Sequence, residues 1–226
     1  MEEYPVVYIV SALGFGLGGL FGATAQRTHF CTMGAISDIY FIGDWNRFRA
    51  WMLALAIAMI GSQYLHLSGA LDLTGSIYLS PTLGWAGAII GGLLFGFGMS
   101  IGGGCGNKTL VRLGAGNLKS LVVAVILGVF AYMTLRGLIG LGRVELEAIS
   151  SIDLSEYGMA TQGIPGLLTA FGMDESMSRL ASVVCISGGL LWFCFKNAEF
   201  RASRTDVVSG IIIGLLIPAA WYVTGV

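Results

Sequence analysis

Charged side chains are scarce in this chain of 226 residues, where they make up 11% of the sequence. Soluble domains carry roughly 25%. The 55% of hydrophobic residues excludes a disordered chain, and the net charge of −1 excludes a protein that binds nucleic acid through a strongly basic surface. The class that remains is a polytopic membrane protein, in contact with the lipid bilayer.

Several signatures of catalysis and metal binding are also missing. The two histidines, His29 and His66, have no acidic residues at ligand spacing, so we expect no metal site. The four cysteines include no CxxC pair for a thioredoxin-like centre and are too dispersed for a disulfide scaffold. No GK[ST] loop for ATP occurs, and we expect no cofactor. The first apolar stretch follows Glu2 and Glu3, so we expect no cleavable signal peptide.

Long apolar runs are what the sequence does contain. A helix needs about 20 apolar residues to cross a bilayer, and the alternation that a barrel strand needs is not visible. We therefore predict an all-α bundle of about six transmembrane helices, with residues 1–226 forming a single membrane domain. The predicted spans are Val6–Ala25, Ala50–Ser68, Leu83–Gly102, Lys119–Leu135, Met177–Phe195 and Val207–Val223.

The basic residues fall unevenly on the two sides that these spans define. Nine of the twelve lie on the side that the chain reaches after the first span, and three lie on the other. Because positive loops stay in the cytoplasm, the first side is predicted to be cytoplasmic and both termini to lie outside. The near-neutral total is thus a cancellation between a basic face and an acidic face.

Two short apolar segments, Phe30–Phe41 and Gly106–Leu113, do not fit the six spans. Each is too short to cross, so it either lies on the membrane surface or enters as a re-entrant half-helix. The long outer loop Gly137–Glu175 is predicted to be a solvated amphipathic segment, followed by an apolar stretch near Ile164–Phe171 that is another candidate for re-entry. We assign no chemistry to this loop.

The chain partly repeats itself. Transporters built from duplicated halves leave weak internal similarity of this kind, although glycine-rich spans also resemble one another by composition. We predict a first repeat over residues 1–136 and the start of a second, incomplete repeat over 177–226. The similar segments are Phe15–Gly18 with Phe95–Gly98, and Ala25–Cys31 with Lys196–Arg201.

The four cysteines divide into two pairs. Cys185 and Cys194 lie within the apolar run Val183–Phe195 and are predicted to be buried packing residues. Cys31 and Cys105 instead lie beside the short segments, next to basic residues or glycines. We expect this second pair to carry the function.

Glycines around Cys105 permit close backbone approach to a ligand, and a helix that starts nearby would present N–H groups to an anion. A thiol can donate a weak hydrogen bond to a soft acceptor. The alternative is that the glycines only allow tight helix packing, which we prefer for those within the spans. The candidate binding residues are Cys31, Cys105, Gly103, Gly104, Gly106, Arg27, His29 and Lys108.

Asp38 and Asp44 flank the segment that follows Cys31. We expect them to cap a helix or to pair with Arg47 and Arg49.

Two motifs, Gln26–Cys31 and Gly103–Gly106, resemble the YeeE/YedE family of bacterial inner-membrane proteins, which includes thiosulfate transporters. Lys119–Gly137 and the span after Asp206 are also similar. The resemblance implies an inner-membrane protein that passes thiosulfate through a glycine-lined centre, with Cys31 and Cys105 contacting its sulfur. Because the family includes proteins linked to selenium metabolism, a related sulfur or selenium oxyanion stays open.

The chain also departs from the family pattern. It has Phe200-Arg201 where the first half has Phe30-Cys31, and it ends before any second Gly-Gly-Cys. The resemblance therefore implies either a fragment or short variant, or a chain that pairs with a second copy or a half-transporter. A small sulfur-carrier protein resembling TusA is a further implied partner.

The sequence leaves three alternative functions open. The first is a transporter for a small sulfur-containing anion, most of all thiosulfate, and not an enzyme. The second is a membrane thiol enzyme, either a sulfur transferase or a disulfide oxidoreductase, which would need Cys31 and Cys105 within disulfide range. The third is a non-transporting membrane subunit.

Overall fold

The computed structural model describes residues 3–73, 76, 79–159, 161–170 and 172–225. The described part of the chain is helical almost throughout and contains one short pair of strands. The elements are α1 (Glu3–Thr28), α2 (Thr32–Phe41), α3 (Asn46–Leu67), β1 (Thr82–Leu83), α4 (Trp85–Gly102), α5 (Gly106–Gly114), α6 (Leu118–Arg136), α7 (Leu138–Ser150), β2 (Ile152–Asp153), a 3₁₀ turn (Leu154–Tyr157), α8 (Ile164–Ala170), α9 (Glu175–Phe195), α10 (Ala198–Ala202) and α11 (Arg204–Gly225).

Six of these helices, α1, α3, α4, α6, α9 and α11, are long and apolar enough to cross a membrane. They confirm the predicted all-α bundle and its six spans. Some helices begin earlier than the apolar pattern indicates, because polar residues cap them. The Asp44 carboxylate accepts the backbone N–H of Asn46 at 2.8 Å, so α3 starts four residues before Ala50. Asp44 thus bonds the first N–H of α3 from the position before the N-cap, Trp45, whose own side chain makes no capping bond.

The two short segments are helical as well. They form α2 and α5, and each follows a long helix after a break of a few residues. The order of long helix, short helix and long helix occurs three times among the described residues: α1–α2–α3, α4–α5–α6 and α9–α10–α11.

The described residues form two compact units. The first takes its residues from Met1–Gly75 and Leu180–Val226, and the second from Ser76–Arg179. In the first unit, α11 packs along α3 through glycines that let the two backbones approach. A methyl group at Gly210 would lie 2.8 Å from the Ala50 carbonyl oxygen, and one at Gly214 would lie 2.8 Å from that of Ala54. Small residues at a close crossing are typical of membrane helices.

In the second unit, part of the predicted outer loop forms α7, which packs against α4 and α6. An ion pair within this helix joins Arg143 and Glu147 at 3.0 Å. The strand pair β1–β2 follows, with Thr82 opposite Asp153. Hydrogen bonds from the Ser155 hydroxyl and backbone N–H hold the pKa of the Asp153 carboxyl below its usual value.

The second apolar part of that loop forms α8, which ends at Ala170. Phe171, the predicted end of this stretch, lies outside the described residues.

Candidate functional site

The two cysteine segments share one backbone arrangement. In each, a long helix ends in a residue with left-handed backbone, His29 at φ 54° and Gly103 at φ 65°. The N–H of the next residue reaches back five positions: Phe30 donates to Ala25, and the N–H of Gly104 to the Met99 carbonyl, both at 3.1 Å. A left-handed residue followed by such a bond is the usual helix C-terminal motif.

The cysteine then comes third and starts a short helix. Cys31 precedes α2 and Cys105 precedes α5, and each has an extended backbone at the N-cap position. Both thiol side chains are buried, since the residues are 3% and 7% exposed. Neither N-cap side chain bonds the first turn of its helix. The first N–H groups of a helix have no partner within it and favour an anion.

His29 occupies the left-handed backbone position that follows α1. A left-handed position favours glycine, but histidine is among the side chains that tolerate it. The residue is exposed, and so is Arg27. The chain thus turns at His29, while Arg27 adds a positive charge to the exposed end of α1.

Phe30 attaches the first cysteine turn to the neighbouring helix α3. Its ring stacks on Trp51 of α3 with 4.4 Å between ring centroids, and Phe30 is only 5% exposed. Because Cys31 follows directly, this stack fixes the backbone that leads into the cysteine. The indole Nε1 of Trp51 is itself buried and makes no hydrogen bond to the residues that the structure describes.

Around Cys105, two side chains of α5 hold the glycine turn. The Arg112 guanidinium donates to the Gly103 carbonyl oxygen at 3.2 Å, and the Thr109 hydroxyl donates to that of Cys105 at 3.3 Å. Neither Thr109 nor Arg112 is among the candidate binding residues predicted from the sequence. Thr109 follows Cys105 by four residues and Arg112 by seven, and this spacing along one helix is a signal that would have placed them near the turn.

The remaining predicted residues of this segment lie in the same turn. The methylene groups of Lys108 pass Gly104, since a methyl group on Gly104 would lie 3.0 Å from the Lys108 Cδ atom. Gly106 opens α5 and faces Leu127 of α6. The structure thus brings Gly103, Gly104, Gly106 and Lys108 around Cys105 within the second unit.

The other two cysteines differ from each other. Cys194 is fully buried and its thiol donates to the Arg49 carbonyl oxygen at 3.2 Å, as a packing residue would. Cys185 is exposed, so the prediction that it is buried is wrong. An apolar run inside a helix does not decide which of its faces packs against a neighbour, and Cys185 lies on a face that the described chain leaves uncovered.

The third break between a long and a short helix is built differently. It lies between α9 and α10, and its cap is Asn197, whose side chain accepts the Phe200 N–H at 2.9 Å. Phe200 therefore lies inside α10 and is fully buried, whereas Phe30 precedes α2. At this third break, the Asn197 side chain accepts an N–H of the first turn of α10, whereas a cysteine occupies the N-cap position of α2 and α5.

Metal binding finds no support in the described part of the chain. No group of three or more His, Cys, Asp or Glu side chains is placed there to hold an ion. The chemistry that the two turns do offer is a soft thiol beside free backbone N–H groups, with cations near by.

These features define a class, a multi-pass helical membrane protein with buried thiols at the starts of short helices. Within that class, the family model described as "Sulphur transport" matches residues 27–226, and the chain belongs to this family, the YeeE/YedE family. The expected family is thereby confirmed.

Individual relatives are similar over different lengths. The thiosulfate transporter TsuA of Spirochaeta thermophila is 34% identical over 211 residues, which cover 89% of this chain and 61% of that protein. TsuA of Escherichia coli is 31% identical over 122 residues, 54% of this chain and 32% of the relative. The probable transporter YedE of Escherichia coli is 34% identical over 104 residues, which cover 45% of this chain and 23% of that protein. The chain therefore spans less than two thirds of the length of these relatives.

Proposed function

We propose that this chain takes up a small sulfur-containing anion, thiosulfate above all, across the bacterial inner membrane. The observation that carries the proposal is the repeated turn, which places a buried thiol at the uncapped start of a short helix in each unit. Similarity to proteins named thiosulfate transporters supports the choice of substrate. The chain acts as a carrier or channel and not as an enzyme.

Each part of the turn has a role in this proposal. Cys31 and Cys105 contact the terminal sulfur of the anion, which is soft and accepts a weak S–H hydrogen bond. The backbone of Gly103, Gly104 and Gly106 lies close to the ligand because these residues have no side chains. Lys108 draws the anion to the second turn. Contacts of this kind are weak enough for release, as transport requires.

At the first turn, His29 sets the bend that presents Cys31. Arg27 contributes positive charge at the same end of α1. The backbone N–H groups at the start of α2 complete the polar part of this turn.

The basic face of the protein lies in the cytoplasm and both termini lie outside, because nine of the twelve basic residues fall on one side. The three groups of long, short and long helices support an internal duplication, with residues 1–136 as a first repeat and 177–226 as the start of a second. Since two of the three turns carry a cysteine, we propose that a second copy of this chain, in place of a separate half-transporter, completes the pathway. A small sulfur-carrier protein resembling TusA receives the anion inside.

Uptake of labelled thiosulfate tests the function. A bacterial strain that lacks other sulfur uptake would express the wild type, Cys31→Ala, Cys105→Ala or the control Cys185→Ala, at matched membrane levels. We expect each of the first two alanine variants to lose at least roughly 90% of the uptake, a tenfold effect that corresponds to about 1.4 kcal/mol. The control should keep it.

Two outcomes contradict the proposal. Uptake that survives in both Cys31→Ala and Cys105→Ala would remove the thiols from the transport path. A stable persulfide on Cys31 after exposure to thiosulfate, detected by mass spectrometry with no accompanying uptake, would show a sulfur transferase in place of a transporter.

A further inference from the structure

Arg47 approaches the first cysteine turn from the neighbouring helix. It lies in the first turn of α3, and its Nε atom pairs with the Asp38 carboxylate of α2 at 3.1 Å. A basic residue in the first turn of a helix is unfavourable against the helix dipole, so this pairing stabilises it. The expected pairing of Asp38 with Arg47 is thus present, and it fixes where the guanidinium points.

Gly34 is what admits the guanidinium to this position. A methyl group at Gly34 would lie 2.7 Å from the Nη1 atom of Arg47 and 3.6 Å from the Cβ atom of Cys31. The Arg47 guanidinium and the Cys31 side chain therefore flank the same point on the first turn of α2. Any side chain larger than hydrogen at position 34 would displace Arg47.

The ion pair with Asp38 uses the Nε atom of Arg47, which leaves the Nη N–H groups able to donate to a ligand. An arginine carries five N–H donors in a planar fork, and Asp38 engages the Nε atom. The Arg47 side chain is 35% exposed whereas that of Asp38 is 16% exposed, so the arginine is the more accessible member of the pair. A planar fork of N–H groups suits the oxygens of a tetrahedral oxyanion better than a lysine ammonium does.

The buried Nε1 atom of Trp51, a half-buried residue, adds a second donor beside this turn. The indole is held by its stack on Phe30, the residue before Cys31, and its Nε1 atom has no hydrogen-bond partner among the described residues. Buried donors are normally satisfied. Its position next to the cysteine is consistent with a polar ligand at this turn.

We propose that Arg47, oriented by Asp38 and admitted by Gly34, binds the oxygen end of the anion whose sulfur end contacts Cys31. This inference rests on the proposed function and extends it, because it makes the first turn selective for anions that combine a soft sulfur with charged oxygens. An anion without oxygens, such as thiocyanate, offers the guanidinium a single nitrogen acceptor and no pair of oxygens, so it gains less from Arg47.

Kinetics in proteoliposomes that contain the full chain test this role. The variants are Arg47→Gln, Arg47→Lys and Gly34→Ala, with Arg204→Gln and Gly188→Ala as matched controls. Arg204 is exposed at the start of α11, and a methyl group at Gly188 would meet nothing within 4 Å. Initial rates of labelled thiosulfate uptake would be measured over a range of concentrations, with sulfite and thiocyanate as competitors.

A hydrogen bond to a charged group contributes about 1.5–3 kcal/mol, or roughly ten- to hundredfold in affinity. We expect Arg47→Gln to raise KM by about that factor with a smaller change in kcat. Arg47→Lys should recover part of the loss, and Gly34→Ala should raise KM while the arginine is still present. Competition by sulfite should weaken in all three variants, competition by thiocyanate should weaken less, and both controls should keep the wild-type KM.

The outcomes separate this inference from the function on which it rests. If the wild type takes up no thiosulfate, the proposed function and this inference both fail. If the wild type transports and Arg47→Gln keeps its KM and its competition by sulfite, only the inference is overturned. Should Arg47→Gln fail to insert into the membrane, Gly34→Ala and Arg47→Lys decide the question by the same readouts, and unchanged KM in both would overturn it.

Discussion

His29 and Gly103 occupy the same position in two different turns: each is left-handed, and each lies two residues before a buried cysteine that starts a short helix. One is a histidine and the other is a glycine, yet the backbone that they create is alike. The shared geometry accounts for why both cysteines are presented in the same way. It also separates the conformational part of each motif from the part that contacts a ligand.

Replacing His29 with glycine tests the conformational role. Glycine adopts the left-handed backbone without steric cost, so His29→Gly should leave thiosulfate uptake close to wild type and leave thermal stability equal or higher. His29→Val should lower stability by roughly 1–2 kcal/mol, because a β-branched side chain clashes in this backbone region. Uptake assays and thermal unfolding in detergent check both. Loss of uptake in a fully folded His29→Gly protein would mean that the imidazole itself contacts the anion.

The reciprocal change at Gly103 should be harmful. Gly103→Val forces a β-branched residue to φ 65° and should destabilise the turn by roughly 1–2 kcal/mol, which would move Cys105 and reduce uptake. Gly98→Ala is the matched control, since it lies inside α4 and a methyl group there meets nothing within 4 Å. Equal uptake and equal melting temperature for Gly103→Val and Gly98→Ala would contradict the assigned turn.

The crossing of α3 and α11 should depend on Gly214. A methyl group at this position lies 2.8 Å from both the Ala54 carbonyl oxygen and the Ile57 Cβ atom. Gly214→Val should therefore separate the helices and cost roughly 1–3 kcal/mol, the usual range for overpacking. Thermal unfolding in detergent measures the change, with Gly188→Ala as the control in open space. A Gly214→Val protein as stable as the control would show that the two helices pack more loosely than described.

The sequence was sufficient for the framework of the fold. Apolar length located all six spanning helices because a bilayer imposes that length on any helix that crosses it. The two short helices were also located, since each is a break in that pattern followed by a shorter apolar run. Capping chemistry accounts for the errors at the ends, as at Asp44 and Asn46.

The site was only partly visible from the sequence. Cys31 and Cys105 stood out by their neighbours, and both are buried at the start of a short helix. The left-handed backbone at His29 could not be inferred, because histidine seldom marks such a turn. Arg47 could be paired with Asp38 from the sequence, but its contact with Gly34 depends on how α2 packs against α3.

The sequence also does not predict which residues of an apolar helix pack against a neighbouring helix. Cys185 and Cys194 lie in one apolar helix, and nothing in its composition distinguishes a face that packs from one that does not. The structure buries Cys194 against the Arg49 carbonyl oxygen and leaves Cys185 exposed. Neighbouring helices, rather than local composition, decide this outcome.

Flux of labelled thiosulfate into proteoliposomes that contain only the purified chain tests the account most directly. The wild type and Cys185→Ala should accumulate thiosulfate well above empty liposomes, while Cys31→Ala and Cys105→Ala should each fall to near the background at the same protein content. Flux that is absent from the wild type, or equal in all four proteins, would contradict the claim that these two thiols line a path for a sulfur anion.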